Sequence, residues 1–87
     1  MGAIRFEKGE YSEALHSFEK AVELMPGDFM SWYKLGRTYE KLSRYHNAHA
    51  AYLKAEKKAA GEDKRTRLII SNARKRAKRK AAPEEEQ

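Results

Sequence analysis

Small and aromatic residues return in this chain every 34 positions and stay in register over most of its length. The fuller copy reads Trp32-x-x-Leu35-Gly36-x-x-Tyr39, then Ala48-x-x-x-Tyr52-x-x-Ala55. One period upstream, Gly2 matches Gly36, Tyr11 matches Tyr45, Ala14 matches Ala48, Phe18 matches Tyr52 and Ala21 matches Ala55. Gly27 lies one period before Gly61. A period of this size belongs to a supersecondary unit that cannot bury its apolar face alone and stacks on a neighbour to do so.

Local signals divide the chain into five helices. The first runs from Met1 to about Lys8 and is broken at Gly9-Glu10. The second, Tyr11 to about Met25, carries Ala14, Leu15, Phe18, Ala21, Val22 and Met25 at amphipathic helical spacing. Pro26-Gly27 ends it, because proline cannot continue the hydrogen-bond ladder and glycine accepts the left-handed exit conformation. Asp28 is then the N-cap of a third helix reaching about Leu42. Past the turn at Ser43-Arg44, a fourth helix from Tyr45 to about Ala59 turns Ala48, Ala51, Tyr52 and Ala55 inward. Gly61 with Glu62-Asp63 repeats the exit-and-cap arrangement. The fifth helix spans about Asp63 to Ala82, with Leu68, Ile69, Ile70, Ala73 and Ala77 on its apolar side, and Pro83 stops it. Helices cross closely only at small residues, which sets Gly36 against Ala48 and Gly2 against Ala14. Phe18, Tyr39 and Tyr52 fill the wider space beside the crossings, and Trp32, Leu35 and Leu42 build a stacking face.

With 87 residues the chain makes one domain with a marginal core. It has no cysteine, so neither disulfides nor thiolate chemistry are available. No stretch resembles a signal peptide or a membrane span, and the chain is expected in the cytoplasm, or in the nucleus if eukaryotic. Charge is uneven: residues 1–62 hold 10 Lys/Arg and 9 Asp/Glu, whereas residues 63–87 hold 9 and 4. Three of those four acids are Glu84, Glu85 and Glu86, so the fifth helix is strongly cationic.

On the residues quoted, the chain resembles the tetratricopeptide repeat (TPR) family, whose 34-residue unit is a helix–turn–helix. The resemblance implies an all-α fold of antiparallel hairpins, a TPR solenoid fragment closed by a capping helix. A TPR domain over 1–82 then divides into a truncated repeat (1–28), a full repeat (29–62) and a basic capping helix (63–82), ahead of a flexible acidic tail (83–87). The upstream repeat lacks counterparts of Asp28 to Lys34, and Ala60 stands where Pro26 stands one period earlier. Thr66 and Ile70 occupy the tryptophan and glycine positions, so the fifth helix reads as a cap rather than a third repeat.

The family resemblance also implies a protein–protein interaction scaffold whose concave groove is lined by the first helix of each repeat. By position this groove takes Met30, Tyr33, Lys34, Arg37 and Lys41 from the third helix and Lys64, Arg67 and Arg74 from the fifth. Ala3 and Phe6 come from the first. Such a basic groove suits an acidic extended peptide; the plainer account is ordinary solvated helix surface. The chaperone-tail clamp of Lys, Asn and Arg known in one TPR subtype is not matched, since Asn47 and Asn72 lie outside the third helix.

The run Arg74, Lys75, Arg76, Lys78, Arg79, Lys80 has three open readings. It is a solubilising helix face, a phosphate contact tethering nucleic acid, or a contact for an acidic partner or import receptor. It contains no aromatic or amide side chain to read bases, so phosphate contact would be salt-sensitive and sequence-blind. His46 and His49 share metal-ligand spacing, with His16 at a similar repeat position, but two ligands do not make a site and none is predicted. No phosphate loop or nucleophile–base pair is present, so neither an enzyme nor a cofactor is expected. One and a half repeats fall short of the roughly three usually needed for stability. The apolar residues Ile4, Phe6, Leu15 and Phe18 are therefore expected to be covered, by a second copy in a homo-oligomer formed through the N-terminal half or by a longer parent protein.

Overall fold

The computed structural model describes residues 8–81, with side chains from Glu10 onward. Four helices follow one another: α1 (Lys8–Leu24), α2 (Phe29–Lys41), α3 (Tyr45–Lys58) and α4 (Lys64–Ala81). The expected helix at Met1–Lys8 lies outside the described residues. Gly9-Glu10 does not interrupt the chain, because both residues are part of α1. A single helical glycine costs only about 1 kcal/mol relative to alanine, which is too little to end a helix alone.

Each helix runs antiparallel to the one before it. Trp32 near the start of α2 meets Lys54 late in α3, and Tyr45 opening α3 meets Lys80 closing α4, while α1 is tied to α2 by the Tyr39 hydroxyl donating to Glu19. The core runs through α3, where Ala48, Ala51, Tyr52 and Ala55 are buried, as is Ala59 just beyond. Leu35, Gly36 and Thr38 face it from α2, and Ile70, Ala73 and Ala77 from α4. Alanine at almost every buried position of α3 lets both neighbours approach closely. Val22 is the buried apolar residue of α1, with Leu15 and Phe18 half-buried.

Three expectations are corrected. Gly36 packs against Tyr52: a Cβ added to it would lie 2.6 Å from both Cδ1 and Cε1 of that ring. The glycine thus makes room for an aromatic ring, and the expected partner was Ala48. Leu68 and Ile69 are not on the buried side of α4 but are 55% and 50% exposed. Successive helical residues are turned by about 100°, so once Ile70, Ala73 and Ala77 set the buried stripe, Leu68 points away and Ile69 lies at its edge. Finally, Gly27 and Gly61 do not adopt left-handed backbone; Ser43 does, at φ 60°.

Ser43 closes α2. Its N–H donates to the Glu40 carbonyl at 3.0 Å, and the Arg44 N–H donates to the Tyr39 carbonyl at 2.8 Å. Those paired bonds satisfy the last carbonyls of the helix through a left-handed residue, a place usually taken by glycine. The other joints are capped by aspartates. Asp28 accepts from the Met30 N–H at 3.2 Å and the Ser31 hydroxyl at 2.7 Å, and Asp63 accepts from the Thr66 N–H at 2.9 Å. The Trp32 indole N–H donates to the Pro26 carbonyl at 2.9 Å, fastening the first turn of α2 to the preceding loop.

Two substitutions test these assignments. Gly36→Ala gains about 1 kcal/mol of helix propensity but forces a methyl into a fully buried ring, an overpacking that costs about 1–3 kcal/mol or more. The steric term wins, and thermal denaturation should show a lower midpoint; a variant more stable than the parent would contradict the packing. Ser43→Gly should instead stabilise the chain by about 0.5–1 kcal/mol, because glycine adopts positive φ without penalty. An unchanged or lower urea midpoint would show that the turn carries no strain.

Candidate functional site

Because α3 reverses direction between them, α2 and α4 run parallel, side by side, and leave a groove. At its opening end the lining is Phe29, Met30 and Tyr33 from α2 with Thr66, Ile69 and Ile70 from α4. At its closing end the lining is Tyr33, Arg37, Glu40 and Lys41 with Arg76 and Lys80. Tyr33 stands between the two ends and lines both. Its ring lies 5.7 Å from that of Tyr52, and Arg37 sits 6.0 Å above its face, a distance at which a guanidinium is attracted to the ring.

One network holds the two walls together. Glu40 accepts the Tyr52 hydroxyl at 2.7 Å and takes two bonds from the Arg76 guanidinium, at 2.7 and 2.8 Å. This joins α2, α3 and α4 through one carboxylate whose side chain is only 11% exposed. The Arg76 hydrogen bond, with the Tyr52 hydroxyl adding to it, holds the Glu40 carboxyl below the usual carboxylate range, against the opposing effect of burial. Burial, and then the bond to Glu40, pushes the Tyr52 phenol above its ordinary value. Glu40 therefore neutralises Arg76, and Arg37, Lys41 and Lys80 remain as the cationic lining.

The predicted groove residues divide accordingly. Met30, Tyr33, Arg37 and Lys41 line this groove. Lys34 lies on the other flank of α2, in a depression shared with Tyr11, Phe18, Arg37, Thr38 and Lys41. Lys64 and Arg67 do not join the groove: with Glu56, Ala60, Leu68 and Ser71 they line the opposite side of α4. They stand one period after Met30 and Tyr33, so they repeat the forward-facing side of α2. The wall of a groove between successive helices needs the rear-facing side of the second, and that is Thr66, Ile69, Arg76 and Lys80. The helical phase of Ile70, Ala73 and Ala77 was the available signal for these four. Ala3 and Phe6 lie outside the described residues.

The basic run is partly engaged within the fold. Arg74 binds Glu56 at 2.5 Å, Arg76 binds Glu40, and Lys80 lies 5.6 Å above the Tyr45 ring. Lys75, Lys78 and Arg79 are exposed. Burial foremost, then Arg74 and Lys78, lowers the pKa of His49. Among the described residues, no three His, Cys, Asp or Glu gather into a set that could hold a metal, and no helix is long and apolar enough to cross a membrane.

Two family profiles match this architecture, one described as TPR repeat over residues 2–43 and one as tetratricopeptide repeat over residues 31–57. The chain belongs to the tetratricopeptide-repeat family, a class of helical scaffolds for protein–protein interaction. It is similar to the BBSome complex member BBS4 homolog of Drosophila melanogaster, 31% identical over 62 residues, which is 71% of this chain and 13% of that protein. It is also similar to the Drosophila melanogaster protein O-mannosyl-transferase Tmtc3, 37% identical over 49 residues, or 56% of this chain and 5% of that protein. The chain thus spans a small part of each relative's length. No solved structure matches it at a significant level.

The Glu40 network makes stability depend on pH with a definite sign. Its folded-state pKa lies below the ordinary 4.5, so its contribution is complete above that value and is lost as pH falls from there through the folded pKa. Glu40→Gln should cost about 1.5–3 kcal/mol at neutral pH, the scale of a hydrogen bond to a charged group. It should also flatten the acid limb below about pH 4.5. Urea midpoints measured for both chains across that range decide it, and parallel curves would contradict the assignment.

Proposed function

We propose that this chain is a non-catalytic binding module whose groove between α2 and α4 receives an extended acidic segment of another protein. The observation that carries this reading is the closing end of the groove. There Arg37, Lys41 and Lys80 line one depression with Tyr33, and Glu40, the carboxylate in that lining, is committed to Arg76. A low-dielectric wall of helices beside these cations favours an anionic ligand, and an extended chain fits a groove that is open along the helix axes.

A polybasic tether for nucleic acid draws less support, because Arg74 and Arg76 are already paired with Glu56 and Glu40 within the fold. Self-association through the N-terminal half is the second reading, favoured by the depression between α1 and α2 and by Leu24 and Met25, 75% and 61% exposed at the end of α1. Solution mass by light scattering addresses it directly.

The groove reading predicts that reversing Arg37 and Lys41 to Glu weakens binding of a glutamate-rich peptide at least tenfold while circular dichroism is unchanged. Lys34→Glu, on the other flank of α2, should leave the affinity within about twofold of the parent. Fluorescence anisotropy with a labelled peptide measures both. Binding that survives the double reversal removes this surface from consideration.

A further inference from the structure

The opening end of the groove differs in chemistry from the closing end. Met30 is 44% exposed and Ile69 is 50% exposed, although both sit against apolar neighbours. Phe29, Tyr33 and Ile70 complete an apolar depression of about 250 Å³, with Thr66 on its edge. No charged residue lines it. Its floor is the contact between α2 and α4, and Tyr33 is the residue it shares with the cationic end.

The two walls repeat the same pattern. On α2, Met30 is followed seven residues later by Arg37 and eleven later by Lys41; on α4, Ile69 is followed at the same intervals by Arg76 and Lys80. The helices are parallel, so apolar faces apolar and basic faces basic across the groove. At 1.5 Å per residue, seven helical residues separate the two kinds of lining by roughly 10 Å and eleven by roughly 16 Å.

We propose that the groove reads a two-part peptide signal, a bulky aliphatic or aromatic side chain in the Met30–Ile69 depression and an acidic side chain three residues away at Arg37, with Lys41 and Lys80 roughly 6 Å farther along. This rests on the acidic-peptide reading above and adds the partner's second determinant and its register. Three residues of polyproline II span roughly 9 Å and return the side chain to the same face, matching the roughly 10 Å between subsites. An extended occupant covers that distance in three residues, whereas a helical one needs about seven at 1.5 Å each, the spacing presented by the third peptide below. The cations favour a mixed ligand over a purely apolar one, because they lie along the same faces of α2 and α4 as the depression, with Tyr33 between.

The test uses the full chain and four labelled ten-residue peptides of Ser and Gly. The first places Leu three residues from a Glu-Glu pair, the second replaces that Leu by Ser, the third moves Leu to seven residues from the pair, and the fourth reverses the order of the first. Either the first or the fourth should bind at least tenfold more tightly than the second and third, the scale expected from burying one leucine side chain. Met30→Ser and Ile69→Ser lie at exposed positions and should retain parental circular dichroism. Each should erase the preference for Leu while leaving the affinity for the second peptide unchanged. Equal affinity for all four peptides overturns the two-part signal and leaves the acidic-peptide reading standing, whereas failure of all four to bind overturns both. A preference for Leu that persists in Ile69→Ser overturns the placement of the subsite. A dimer mass that falls to the monomer in Ile69→Ser assigns the depression to a second copy and overturns it as well.

Discussion

Tyr52 performs three tasks that are usually divided among several residues. Its ring fills the space left by the missing side chain of Gly36, its hydroxyl satisfies Glu40, and its burial places both between helices on either side. An aromatic residue buries more area than any aliphatic one, and its polar end then needs a partner. Glu40 supplies that partner and uses its remaining capacity on Arg76, so no buried side-chain oxygen or nitrogen among the described residues lacks a bond. In a chain whose other buried residues are mainly alanines, this ring is the largest single contribution to the core.

The same arrangement sets the geometry of the groove. The walls α2 and α4 are neighbours through side chains, with α3 behind both of them. Arg76 reaches across to Glu40 and fixes the closing end, while Tyr33 against Ile70 and Tyr52 fixes the floor. On α4, Arg74 and Arg76 are each held by a carboxylate of the fold, whereas Lys75, Lys78 and Arg79 are exposed. Counting charges along the run from Arg74 to Lys80 therefore overstates what is available to a partner.

Much of the fold was legible in the sequence. The 34-residue register, the proline, the aspartate caps and the helical spacing of Ala48, Ala51, Tyr52 and Ala55 placed the ends of α2, α3 and α4 within a residue or so of where they lie. Joints were read less well, because glycine marks a chain that is permitted to turn left-handed and not one that does; Ser43 took that conformation where two hydrogen bonds required it. On α2, the repeat supplies the helical phase, and Met30, Tyr33, Arg37 and Lys41 line the groove between α2 and α4. Lys64 and Arg67 were misplaced because a repeat period preserves the direction a side chain points relative to its own unit, and a groove is built from opposite-facing sides of two units. Glu40–Arg76 was not visible at all, for a pair 36 residues apart leaves no local mark.

The closeness of Gly36 to the Tyr52 ring has a consequence for how such a chain can change over generations. Neither residue can be replaced independently. Enlarging position 36 first collides with the ring, and shrinking position 52 first leaves a void beside the glycine and removes one of the three bonds to the Glu40 carboxylate. Every single-step route away from the pair passes through a less stable intermediate, and residues in direct contact do not contribute additively. In a domain with so small a core, those intermediates lie near the edge of what folds. The two positions are therefore inherited as one character, and the groove whose spacing they set is inherited with them.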